Sequence, residues 1–202
     1  MMLTRNWISS LVIDTLCKQA YRHNIAVLFL YCDYQAQKNQ SAVNMIGTLL
    51  RYIVLGAVGK VDEIQQSFEK SRQGGGNGLR LSEMLELFVK TIGSLQRVYI
   101  CIDGMDELLP QHRSEFLRAL QKIIGEAPNT RLFLTGRPHI RGELDRHLTR
   151  GAYTIRIVPD ERDITRYLSL KMDDDDRRDP DLMTENLRND IMKTMLEKAS
   201  DM

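Results

Sequence analysis

No stretch of this chain stays apolar for long. The longest uninterrupted run, Ile25 to Cys32, falls far short of the roughly 20 residues a membrane-spanning helix needs, so no membrane partner is expected. Cysteine is scarce: Cys17, Cys32 and Cys101 are widely spaced among apolar neighbours. No CxxC pair and no Cys/His spacing occurs, which excludes a disulfide scaffold and a zinc module and reads as reduced core thiols in a cytoplasmic protein. An excess of one charge is also missing, since 28 Lys and Arg face 27 Asp and Glu for a net of +1. That balance argues against a dedicated polyanion binder. The one basic stretch, residues 131–156, carries no aromatic interleaving and no helix-turn-helix pattern, so no nucleic-acid partner is expected. Arg5 is followed by no secretory apolar core. What remains is an ordinary globular composition, 43% apolar and 27% charged over 202 residues, enough for one domain or one domain and the start of a second.

The organisation is legible from periodicity. Ile8, Leu11, Val12 and Leu16 recur at helical spacing between Thr4 and His23, and residues 25–32 then read as a strand buried on both faces. A polar loop, Asp33 to Gln40, leads to a helix over Ser41 to Leu55. Residues 61–72 read as a polar helix, and the glycine-rich run Gly74 to Gly78 as a linker loop. Leu81, Met84, Leu85, Phe88 and Ile92 mark the next helix, and Phe116, Leu117, Leu120, Ile123 and Ile124 another. Between and after them lie three more strand-like segments, Val98 to Asp103, Arg131 to Gly136 and Tyr153 to Val158. Strands alternating with helices predict an α/β fold with a parallel sheet flanked by helices. After Pro159 the chain turns helical and acidic, with 13 acidic against 8 basic residues from Asp160 to Met202. The expected division is therefore 1–159 for the α/β core and 160–202 for the start of a helical region.

In such sheets ligands bind beyond the carboxyl ends of the strands. Asp103-Gly-Met-Asp-Glu107, Thr135-Gly-Arg-Pro138 and Cys32-Asp-Tyr34 all fall there. An apolar strand ending in Asp103 has the Walker B form, in which the carboxylate holds the Mg²⁺ of a nucleotide. Gly104 leaves room for phosphates, and Asp106 and Glu107 lie within one turn, where a carboxylate can orient or deprotonate water. Arg137 follows the next strand, so its guanidinium is expected near Asp103 and able to read a γ-phosphate. The plainer alternatives are a cap at Asp103 and a surface turn at Arg137. Asp173 to Asp176 lacks the Gly and Glu that a calcium loop requires and reads as a solvated acidic run.

Val98-Tyr-Ile-Cys-Ile-Asp-Gly-Met-Asp-Glu-Leu108 resembles the Walker B segment of NACHT-type signal-transduction NTPases. Pro128-Asn-Thr-Arg-Leu-Phe-Leu-Thr-Gly-Arg-Pro-His139 and Asp163-Ile-Thr-Arg-Tyr-Leu168 are similar to the nephrocystin-type members abundant in filamentous fungi. The resemblance implies a P-loop NTPase-like sheet and a nucleotide-dependent oligomerisation switch for self/non-self recognition. It implies Mg²⁺ with ATP or GTP as cofactor in intact relatives. Asp103 would be the metal ligand, Asp106 and Glu107 the following acidic pair, and Arg137 the sensor. Full-length relatives, or copies of the chain itself, would be partners by oligomerisation.

One part is absent. No GxxxxGK followed by Ser or Thr occurs, and Gly56-Ala-Val-Gly-Lys-Val61 fails that pattern at Val54 and Val61. By resemblance the P-loop strand would stand in the middle of the sheet, beside the strand 131–136 and the strand 153–158. Its absence predicts a gap with unpaired backbone on both sides, poor nucleotide binding, and either a truncated chain or a degenerate copy. A non-catalytic interaction module that modulates full-length relatives is the second expectation.

Overall fold

In a computed structural model, residues 3–20, 24–56, 79–148, 151–157, 160–178 and 183–200 are described. The expected polar helix 61–72, the glycine-rich loop and the failed P-loop pattern after Gly56 lie outside them. The chain divides into two units, Met1–Ala152 and Tyr153–Met202, where the sequence put the boundary at Pro159.

The first unit is built on three parallel strands, β1 (Ile25–Tyr31), β2 (Arg97–Asp103) and β3 (Thr130–Leu134), in that order across the sheet. The register pairs Tyr31 with Asp103 and Ile102 with Leu134, which brings all three carboxyl ends to one edge. Parallel pairing demands crossovers, and the helices α1 (Leu3–Ala20), α2 (Ala42–Gly56), α3 (Leu81–Ile92) and α4 (Pro110–Glu126) supply the layers around the sheet. A short helix, α5 (Arg141–Leu148), follows β3. The α/β class with a parallel sheet is as the sequence predicts.

β2 is the buried centre. Val98, Ile100 and Ile102 are fully excluded from solvent, together with Phe88 and Ile92 of α3 and Phe116, Leu117 and Leu120 of α4. Each such side chain contributes about 1.5–3 kcal/mol relative to exposure. Local signals set the helix ends. In α3 the Glu83 carboxylate accepts from the backbone N–H of Arg80 at 2.8 Å, which satisfies the amide of the residue that caps the helix. In α4, Pro110 occupies the first turn, where its missing N–H is harmless.

Two expectations change. The apolar set read from α1 included Leu11, but Leu11 is exposed, and Ser9 and Ile13 are the buried residues. Packing against β1 and β2 selects the stripe through residues 9 and 13, and Leu11 projects about 100° or more away from either. The larger correction is the fourth strand. Residues 152–157 form no strand, and Tyr153, Ile155 and Ile157 are 96%, 82% and 63% exposed. The strand pattern is real, but a strand exists only with a partner to accept its hydrogen bonds, and among the described residues none is paired with it.

The second unit contains α6 (Glu161–Arg178) and α7 (Glu185–Ser200). Leu168 and Met172 of α6 are buried, and Arg188 of α7 pairs with Asp173. The acidic run Asp173–Asp176 lies within α6.

Candidate functional site

The carboxyl end of β2 is shaped by one glycine. Gly104 adopts φ 74°, a left-handed conformation that a side chain disfavours, and turns the chain into a single 3₁₀ turn, Met105–Glu107. This turn is tied to the end of β3 by backbone and side chain. The N–H of Met105 donates to the carbonyl of Thr135 at 2.9 Å, and the N–H of Gly104 donates to Thr135 Oγ1 at 2.9 Å.

Asp103 is 6% exposed, and its Oδ1 accepts two hydroxyls. Ser9 Oγ of α1 donates to it at 2.5 Å and Thr135 Oγ1 at 2.6 Å. Three elements, α1, β2 and β3, therefore converge on one carboxyl oxygen. Asp106 accepts from the backbone N–H of Arg137 at 3.0 Å, and the Arg137 Nε lies 3.3 Å from its Oδ2. The Asp106 side chain is almost wholly buried while that of Arg137 is 63% exposed, so the guanidinium reaches solvent from an anchored base. Gly136 makes this approach possible, because a Cβ there would stand 2.7 Å from Ile140 Cδ1 and 3.6 Å from Asp106 Oδ1.

Glu107 faces the other way, toward β1. Its Oε2 accepts from the N–H of Tyr34 at 3.1 Å, and its carbonyl accepts from Gln37 Nε2 at 2.7 Å. The loop after β1 thus clasps the turn after β2. Cys32, at the end of β1, donates its N–H to the Asp103 carbonyl at 2.9 Å. Burial pushes its thiol up to about 12, and the negative charges of Glu107, Asp103 and Asp106 add to the shift. Burial, with a smaller effect from Cys17, pushes Cys101 up to about 11. Since the thiolate is the reactive form, a thiol-specific reagent near neutral pH is expected to modify Cys17, which is exposed, and to spare the other two until the chain is unfolded. Modification of Cys32 as fast as Cys17 would contradict this placement.

The structure brings Asp103, Asp106, Glu107 and Arg137 to one edge of the sheet, as predicted, and pairs Arg137 with Asp106. It does not converge the three carboxylates on a common point. Among the described residues no group of three or more His, Cys, Asp or Glu could hold a metal ion. Each acidic residue is instead engaged by a donor of the chain itself. Asp103 is the one carboxylate here that could face Mg²⁺, and it would do so only together with nucleotide phosphates and water, since that ion is held by one or two carboxylates plus such oxygens. Sequence reasoning missed Ser9 and Gln37, and it placed Tyr34 and Thr135 at the strand ends without giving either a role. Ser9 alone left a signal, as a polar residue four positions before Ile13 on the buried side of α1.

This is an α/β protein with a carboxylate-bearing turn at the carboxyl ends of three parallel strands. It belongs to the family described as nephrocystin 3, N-terminal, whose profile matches residues 5–137. Among solved structures it is similar to a Walker-type ATPase of Pyrococcus abyssi, with 15% identity, a TM-score of 0.40 and coverage of 90% of this chain. The chain spans 60% of the length of that protein. Comparison with curated proteins gives no match. Among the described residues no helix is long and apolar enough to cross a membrane.

Proposed function

We propose that this chain is the Walker B and sensor part of a NACHT-type signalling NTPase, a module whose intact relatives act as nucleotide-dependent oligomerisation switches. The observation that carries the reading is the Asp103 carboxyl at the end of the central strand, one turn before an Asp106 paired with Arg137 across the neighbouring strand end. Membership of the nephrocystin 3 N-terminal family supports it. Asp103 is the group that would face a magnesium ion, which in such proteins neutralises phosphate charge. The exposed Arg137 guanidinium is the group that would meet a γ-phosphate, held in place by Asp106 through both its backbone N–H and its Nε. Glu107, fixed by Tyr34, would couple the loop after β1 to the same turn.

By itself the chain is expected to bind ATP or GTP weakly and to turn it over negligibly, because it offers no glycine-rich backbone cradle with a lysine for the phosphates. The check is nucleotide turnover by the purified chain with Mg²⁺. Robust hydrolysis that disappears in Asp103→Asn would overturn this expectation and restore a complete active site.

A second reading, a non-catalytic module that joins oligomers of relatives or of itself, is favoured by a different observation. The acidic residues of the turn are already held by the chain's own donors, while apolar strand-forming surface elsewhere is uncovered.

A further inference from the structure

β1 bounds the sheet on the side away from β3, so its outer edge is not the seat expected for the P-loop strand. The N–H of Cys32 donates to the Asp103 carbonyl, and Tyr31 stands opposite Asp103 in the register. In a parallel strand the backbone groups of successive residues turn to alternate sides, so Leu28, Leu30 and Cys32 bond toward β2. Val27, Phe29 and Tyr31 turn theirs outward, and among the described residues none receives them. Natural sheets guard such an edge with charge, proline or a very short strand. β1 has seven residues, Ile-Ala-Val-Leu-Phe-Leu-Tyr, and none of these guards.

A cavity of about 330 Å³ opens on this edge. The consecutive residues Phe29 to Tyr31 line it, which places it along the strand rather than beneath one face, and Met45, Thr48 and Tyr52 of α2 form the facing wall. Phe29 stacks on Tyr52 with ring centroids 5.2 Å apart, and Tyr31 meets Phe29 edge to face at 5.9 Å. Tyr31 and Tyr52 are 45% and 38% exposed, so the aromatic wall reaches solvent. The volume stands at the small end of ligand clefts, about 300–1,000 Å³, with room for one large side chain.

No residue lining the cavity is charged. Around it, Lys38 on the 3₁₀ turn Tyr34–Asn39, Arg51 of α2 and Arg97 opposite Ile25 are exposed. Against these three stands Asp33, whose carboxylate accepts the N–H of Gln35 at 2.9 Å. Asp14 of α1 is balanced by Lys18 at 2.6 Å. Asp103, Asp106 and Glu107 lie one strand further in, held by the donors already described. The edge is therefore net positive. The chain's own extended segment, Tyr153-Thr-Ile-Arg-Ile157, carries an arginine and no acid, so charge disfavours it as the occupant.

We propose that the outer edge of β1 is a docking site for an extended, acidic segment of a partner protein, which adds as a strand beside β1 and seats one large apolar side chain in the aromatic cavity. Backbone bonds give such pairing its affinity, and the seated side chain gives it specificity. The basic rim selects the sign of the partner's charge. The inference goes beyond the readings above and needs no nucleotide.

The test titrates the full chain against a fluorescein-labelled peptide as long as β1, alternating Val and Thr around one central Trp, with Glu at both ends. Anisotropy is expected to show saturable binding with a Kd of about 1–100 µM, weaker at high salt. Replacing the peptide's Trp by Ala, or methylating alternate backbone nitrogens, should each weaken binding by about tenfold or more. Thr48→Trp, which fills the cavity from an exposed position, and Lys38→Glu/Arg51→Glu should do the same with an unchanged urea midpoint. The charge variant should in turn prefer a peptide ending in Lys. No saturable binding up to about 1 mM would overturn the proposal. Undiminished binding of the methylated peptide would remove strand pairing, and undiminished binding by Thr48→Trp would remove the cavity. Equal binding of the Lys-ended peptide by the wild type would remove the acidic partner. A chain that sediments as a dimer and is released to its 23.3 kDa monomer by the peptide would assign the edge to a second copy instead.

Discussion

Asp103→Ala is expected to cost about 3–5 kcal/mol of stability, a large share of the 5–15 kcal/mol that holds a typical domain folded. The cost follows from the partners left behind. Ser9 Oγ and Thr135 Oγ1 both donate to Asp103 Oδ1 in a buried setting, and a hydrogen bond to a carboxylate contributes about 1.5–3 kcal/mol. Removing the acceptor leaves two hydroxyl donors without it, one of them the Thr135 hydroxyl that also accepts the N–H of Gly104. Asp103→Asn keeps an oxygen in place and should lose about half as much. Urea unfolding provides the measurement: the midpoint should fall with an unchanged denaturant slope. A double-mutant cycle between Asp103→Ala and Ser9→Ala should show coupling of about 1 kcal/mol or more, as expected for groups in one network. A loss below about 1 kcal/mol for Asp103→Ala would show that the carboxyl is not the tie between α1, β2 and β3.

Arg113→Ala should be comparably damaging, for a different reason. Arg113 of α4 is 8% exposed, with its Nε 2.7 Å from Glu143 Oε2 and its Nη1 donating to the Leu108 carbonyl at 3.1 Å. Ser114 Oγ donates to the other Glu143 oxygen at 2.6 Å. Removing the guanidinium strands a carboxylate whose side chain is only 15% exposed, at a cost of about 3–5 kcal/mol. The double variant Arg113→Met/Glu143→Gln should lose clearly less than Arg113→Ala alone, because no buried charge is left unpaired. Burial by itself would raise the Glu143 carboxyl. The Ser114 hydroxyl and the Arg113 guanidinium outweigh it through their hydrogen bonds, aided by the charges of Arg113 and Arg146, and the net direction is downward from 4.5. A depressed folded value means the contribution is fully present above 4.5 and is lost as pH falls through that lower value. Glu143→Gln should therefore flatten the acid limb of the stability profile, and an unchanged limb would contradict the pairing.

The pairing of Arg137 with Asp106 emerged only in the structure. Parallel strands one crossover apart bring their carboxyl ends together, so the closeness of Arg137 to the strand end at Asp103 was legible from order and spacing. The position of Ser9 was not. A serine within a helix has no visible destination until the sheet beneath it is assembled, and its partner lies 94 residues away. The role of Tyr34 in holding Glu107 was hidden similarly, because it uses the backbone N–H, which every residue but proline carries.

The amino-acid sequence by itself determined the α/β class, the positions of three strands along the chain, the apolar faces of α3 and α4, and the edge of the sheet on which the carboxylates gather. Periodicity and strand-end chemistry are local properties, and local properties are written residue by residue. The tertiary structure decided what each carboxylate touches and which strand-like segment becomes a strand. Tyr153 to Ile157 has every local requirement of a strand and yet is not one in this chain. A strand is defined by hydrogen bonds to a neighbour, and whether a neighbour is present depends on the assembled sheet rather than on the segment.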